Sequence, residues 1–101
     1  MIIPDKVKIG GVVFDVKKNV ERLDMGPNYS ANILFTKATI EICCGQDEQV
    51  NHRDFLHEVV HGIFWNLGDR ENQGDEMLVD KLAGALHQLI VDNPEMFKDG
   101  L

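Results

Sequence analysis

In the stretch "CCGQDEQVNHRDFLHEVVHGIFWNLG", Cys43–Gly68, the apolar period of this chain changes from two to three and four. From about Asp47 to Leu67 the apolar residues Phe55, Leu56, Val59, Val60, Ile63, Phe64 and Leu67 recur at helical spacing, and Gly68 supplies a C-terminal stop. One long helix with a broad buried face is therefore expected, with strands before it and helix after it.

Toward the N-terminus, "ANILFTKATIEICCG", Ala31–Gly45, breaks at Thr36-Lys37 into two β-branched and aromatic segments. Ile40 and Ile42 face one way along the second, Thr39 and Glu41 the other. "KVKIGGVVFDVK", Lys6–Lys17, has two short alternating runs around Gly10-Gly11, a pair suited to the positive φ angles of a hairpin turn. Between these pairs "DMGPNYS", Asp24–Ser30, reads as a loop. Beyond the long helix "GDRENQG" reads as a polar connection, followed by a second helix from about Gly74 to Asp92 with Leu78, Val79, Leu82, Ala83, Leu86, Leu89 and Ile90 turned inward. Asn93-Pro94 breaks it, with Asn93 as N-cap and Pro94 at the first position of a last short turn through Phe97. The expected fold is α+β, a single domain over residues 1–101: a small antiparallel sheet of two strand pairs followed by two packed helices.

A chain of 101 residues has room for one core. Its 44% apolar and 27% charged residues are those of a globular protein, and its apolar runs fall far short of the ~20 residues of a membrane span, so no membrane partner is expected. "MIIPDKVKIGG" lacks the apolar core and cleavage site of a secretion signal. Cys43 and Cys44 are adjacent and poorly placed to pair with each other, which favours a reducing, cytoplasmic setting. Ten basic residues against seventeen acidic give a net charge of −7, which opposes binding to a phosphate backbone, so no nucleic-acid partner is expected.

Chemistry concentrates on the long helix. His57 and His61 are one turn apart on the same face, so both imidazoles can reach one ion at the ~2.0–2.1 Å of a zinc–nitrogen bond. Glu58 is rotated ~100° from His57, beside such an ion, where it can take a proton from water. A catalytic zinc needs a third protein ligand, and Glu76, 76 − 61 = 15 residues after His61, stands in the first turn of the second helix. Asp80 follows one turn later, placed to accept the other ring N–H of His57. Asp75 is the alternative to Glu76, and either could simply favour a helix N-terminus, but the Glu76/Asp80 spacing sets those two on one face.

His57-Glu58-x-x-His61 followed by Glu76-x-x-x-Asp80 resembles the gluzincin arrangement. More closely, "LHEVVHGIF" followed by "DEMLVDKLAGALHQLIVDN" is similar to the small ImmA/IrrE-type metallopeptidases of prophages and mobile elements. The resemblance includes the strand-rich half before the motif helix, although longer members carry extra helices and often a DNA-binding domain that these residues do not hold. It implies Zn²⁺ as cofactor, His57, His61 and Glu76 as metal ligands, Glu58 as catalytic acid–base residue, and a repressor-like protein of the element or host as substrate. The expected function is therefore zinc-dependent hydrolysis of a peptide or protein held as an added strand along one sheet edge. The alternative is a zinc-stabilised protein-interaction module without proteolytic activity.

Other polar residues have simpler expectations. His87 lies eleven residues after Glu76, ~16 Å along a helix, and reads as structural. His52 is turned ~140° from His57 and reads as solvent-exposed. Tyr29 could donate to a tetrahedral intermediate but reads as loop packing. Phe64 and Trp65 read as core, and Cys43 and Cys44 as buried thiols.

Overall fold

The computed structural model of the chain describes residues 1–21, 24 and 29–96. β1 (Lys6–Ile9) and β2 (Val12–Val20) form the hairpin expected around Gly10-Gly11, with Ile9 paired to Val12. Both glycines have positive φ, 57° and 93°, the hand of a two-residue turn that matches strand twist and that glycine adopts without steric cost. β3 (Ala31–Leu34) and β4 (Thr39–Cys43) form a second antiparallel pair, joined through a 3₁₀ turn at Phe35–Lys37 and Ala38.

The strand order is β1-β2-β4-β3. The expectation of a purely antiparallel sheet is corrected here: β2 pairs with β4 in parallel, Val16 opposite Ile40, so the sheet is mixed. Each hairpin is antiparallel within itself, and the two dock through their second strands, which run the same way. β4 takes the inner position because Thr39, Ile40, Ile42 and Cys43 are all buried, which suits a strand covered on both faces. β3 is left as an edge strand.

α1 (Glu48–Asn66) starts at Asp47, whose carboxylate accepts from the Gln49 N–H at 2.8 Å, and stops before Gly68 at φ 72°. The polar connection holds a further short helix, α2 (Arg70–Gln73), so there are three helices among the described residues where two were expected. Asp69 caps it, accepting from the Asn72 N–H at 3.1 Å and from its side-chain amide at 2.7 Å, a local device that leaves no apolar period in the sequence. α3 (Glu76–Asp92) opens on Asp75, which accepts from the Leu78 N–H at 3.0 Å. After it, the Met96 N–H donates to the Asn93 carbonyl in the expected turn, while Phe97 and positions 25–28 of the expected loop lie outside the described residues.

α1 lies on one face of the sheet over a core of Ile9, Phe14, Val16, Ile40, Ile42 and Phe55. Gly62 permits the approach: a Cβ there would stand 2.9 Å from Ile9 Cδ1 and 3.2 Å from Ile33 Cδ1. A second, smaller core of Val60, Val79 and Ala83 joins α1 to α3. Because α3 packs chiefly on α1 rather than on the sheet, fewer of its apolar residues are covered than the periodicity suggests. Ile63, Leu67, Leu82 and Leu89, expected inward, are exposed, and Trp65 is partly exposed while stacking on Phe35 at 5.1 Å. No helix among the described residues is long and apolar enough to cross a membrane.

Candidate metal centre

The helical period that buries Phe55 and Val60 turns His57, Glu58 and His61 toward a cleft of ≈ 770 Å³ between α1, the edge strand β3 and the start of α3. His57 Nε2 and His61 Nε2 lie 3.2 Å apart. Glu76 meets both, with Oε2 3.0 Å from His57 Nε2 and Oε1 2.8 Å from His61 Nε2. Among the described residues, these form the group of His, Cys, Asp or Glu side chains whose ligand atoms all lie within 4.8 Å of one another. Capping decides between the two acidic neighbours: the Asp75 carboxylate is occupied by the Leu78 N–H, leaving Glu76 to face the histidines.

The outer ring nitrogens face acceptors as well. His61 Nδ1 lies 2.8 Å from the Gln73 backbone carbonyl and 3.0 Å from Gln73 Oε1; a carbonyl only accepts, so Nδ1 carries the hydrogen. His57 Nδ1 lies 3.5 Å from Asp80 Oδ1, and the other Asp80 oxygen is 3.6 Å from Arg53 Nη2. In the neutral tautomer with the hydrogen on Nδ1, the lone pair of His61 Nε2 points at Glu76 and His57. The two Nε2 atoms and the Glu76 carboxylate then share one small space, where either a ring hydrogen on His57 or a divalent cation can lie between them.

The donor set fits zinc. One ligand atom from each of the three residues lies within 4.8 Å of the other two, close enough for a single ion with bonds of ~2.0–2.1 Å to reach all three. Two imidazoles and one carboxylate also suit zinc better than magnesium or calcium, which prefer oxygen alone.

Glu58 lines the same cleft, is only 7% exposed, and forms no hydrogen bond or ion pair among the described residues. Burial, reinforced by the nearby charges of Glu76 and Asp54, pushes its carboxyl up from 4.5 to about 8. A divalent cation on the neighbouring ligands would act against that rise by favouring the carboxylate. Tyr29 lines the cleft at the start of β3 and is exposed.

Two participants were absent from the sequence reading. Gln73 holds His61 through its backbone carbonyl, and nothing in the sequence signals that contact. Asp54 lines the cleft one turn before Glu58, a position that the i, i+4 rule could have revealed. The other histidines lie apart. His52, expected exposed, has a side chain only 14% accessible because it faces α3; its ring centroid is 6.3 Å from that of His87, and burial lowers its pKa. His87 Nε2 is buried without a partner among the described residues. Cys43 is buried and Cys44 half-buried, both as free thiols. Comparison with protein families, curated proteins and solved structures finds no match to this chain.

Proposed function

We propose that this chain is a zinc metallopeptidase in which His57, His61 and Glu76 hold the metal and Glu58 is the general base. The observation that carries the proposal is the convergence of three ligand atoms from two helices, with the outer nitrogens of both histidines facing acceptors. When bound, zinc supplies Lewis acidity and acidifies the attacking water. Glu58 takes that water's proton and passes it to the leaving amine. Its place on the cleft wall, with no hydrogen-bond or ion-pair partner among the described residues, favours this role, because a purely structural metal site has no use for it. Gln73 and Asp80 keep the two imidazoles oriented.

β3 adds support as the edge strand lining the cleft, where its free backbone groups can pair with an extended substrate. By the resemblance to ImmA/IrrE-type peptidases, that substrate would be a phage or host regulatory protein in the cytoplasm. The same free edge is what favours the second reading, a zinc-stabilised interaction module that holds a partner strand without cutting it.

Plasma mass spectrometry on protein never exposed to chelator should find about one zinc per chain. Protein that carries no metal and takes up no added zinc ends both readings. Glu58→Gln should keep zinc and fold but lose at least ~10²-fold in rate, since the amide cannot accept the proton. Expressed in a host carrying the element, wild type should generate a protein fragment that Glu58→Gln does not. The same phenotype from both, with no fragment, would leave the interaction module standing and remove the peptidase.

A further inference from the structure

The peptidase reading gives a role to every carboxylate in the cleft except one. Resting on that reading of the cleft, we infer that Asp54 is a specificity anchor: it receives a cationic group of an extended peptide lying along β3, on the Ser30 side of the metal centre. Lysine and arginine side chains, or a free α-amino group, supply such a cation.

Four carboxyl groups line the cleft, those of Asp54, Glu58, Glu76 and Asp80, and no lysine or arginine does. Glu76 meets the histidines, Asp80 faces His57 and Arg53, and Glu58 is the proposed base. Asp54 is half-buried, and its hydrogen-bond partner among the described residues is neutral: Gln46 Nε2 donates to Oδ2 at 3.2 Å. Gln46 is itself held by Asn51 Oδ1 at 3.1 Å and the Ser30 carbonyl at 3.5 Å. The Asp54 carboxylate is thus fixed in place with no counter-ion among the described residues, a state that a cation from outside relieves. One turn further along the same helix, Glu58 is more than nine-tenths buried and has no hydrogen-bond or ion-pair partner among the described residues. The wall from Asp54 to Glu58 therefore presents to whatever fills the cleft two carboxyl groups that have no ion-pair partner among the described residues.

Position along the strand follows from contacts. Gln46 ties Asp54 to Ser30, Gly62 abuts Ile33, and Trp65 stacks on Phe35, so α1 and β3 advance together. The acidic wall stands at the Ser30 end, while Leu34 and Phe35 line the opposite end. A peptide strand on β3 would carry its basic residue at the first end and an apolar residue at the second.

The test uses the zinc-loaded Glu58→Gln full chain and fluorescent peptides with blocked termini, in which a single Lys, Gln or Glu is scanned through an apolar and threonine background. In one register the Lys peptide should bind about 5-fold or more tighter than its Gln counterpart, and the Glu peptide weaker still. Asp54→Asn should bring the Lys/Gln ratio to about one, Asp54→Glu should restore it, and Asp54→Lys should invert the order so that Glu binds best. A Gln peptide with a free α-amino group, matching the Lys peptide only when its terminus falls in that register, separates the two sources of charge. Equal affinities for all three peptides overturn the inference, as does a Lys preference that survives Asp54→Lys. Cleavage by wild type separates the two levels. A charge preference in binding with no cleavage removes the peptidase and keeps the anchor, whereas cleavage indifferent to Lys keeps the peptidase and removes the anchor.

Discussion

Two histidine pairs lie on α1 or between α1 and α3, and they differ in almost every respect that matters for holding a metal. His57 and His61 bring Nε2 atoms to 3.2 Å, a carboxylate from α3 closes the third position, and both outer nitrogens face acceptors. His52 and His87 stand with ring centroids 6.3 Å apart, the carboxylate near His52 is the exposed Glu48 at 3.8 Å, and His87 Nε2 has no partner among the described residues. Proximity of two imidazoles is common to both. What distinguishes the first pair is that two ring nitrogens meet a carboxylate as third group, and that acceptors face both rings from behind.

The largest expected effect separates the pairs directly. His61→Ala should reduce zinc affinity by more than the roughly 10–100-fold typical of losing an outer partner, while His52→Ala should leave it unchanged, as measured by competition with a chelating dye. A comparable loss in both variants would erase the distinction.

Next in size is a pH effect in the metal-free protein. The Glu58 carboxyl is raised from 4.5 to about 8 by burial and then by Glu76 and Asp54, so the folded chain holds a proton that the unfolded chain releases. Stability from this group is therefore fully present below about 4.5 and is lost as pH rises toward about 8. Its amplitude is on the order of a few kcal/mol at most. Urea unfolding in chelator should show that decline in wild type, with a shallower one in Glu58→Gln; parallel profiles would mean that Glu58 is not buried as a neutral acid.

Asp80→Ala should lower zinc affinity by ~10–100-fold while the domain stays folded, because the His57 ring loses its acceptor. Unchanged affinity would remove Asp80 from the site and leave the three ligands untouched. Smallest is His87→Leu, which removes a buried nitrogen that has no partner among the described residues and should raise stability by ~1 kcal/mol with no change in zinc binding. A lower urea midpoint in that variant would show that the His52/His87 pair is a stabilising contact.

Much of this molecule was legible along the chain wherever the deciding interactions are local. The Gly10-Gly11 turn, the period of α1, its stop at Gly68 and the i, i+4 spacings of His57/His61 and Glu76/Asp80 all depend on backbone geometry within a few residues. Glu76 followed from the same rule, since Asp75 and Glu76 divide the work of capping and facing back across one helix start. Tertiary packing decided the rest. Parallel docking of β2 on β4 left β3 as the edge beside the cleft, a matter of which buried strand two hairpins share and not of any one strand's pattern. The narrow seam between α1 and α3 left Leu82 and Leu89 exposed while covering His52. Likewise the Gln73 carbonyl behind His61, the Gln46 amide that holds Asp54 and the burial that raises Glu58 arise from groups brought together across the fold. Spacing along a helix tells which side chains share a face, but only the docking of that face on its neighbours determines what those side chains meet and whether water reaches them.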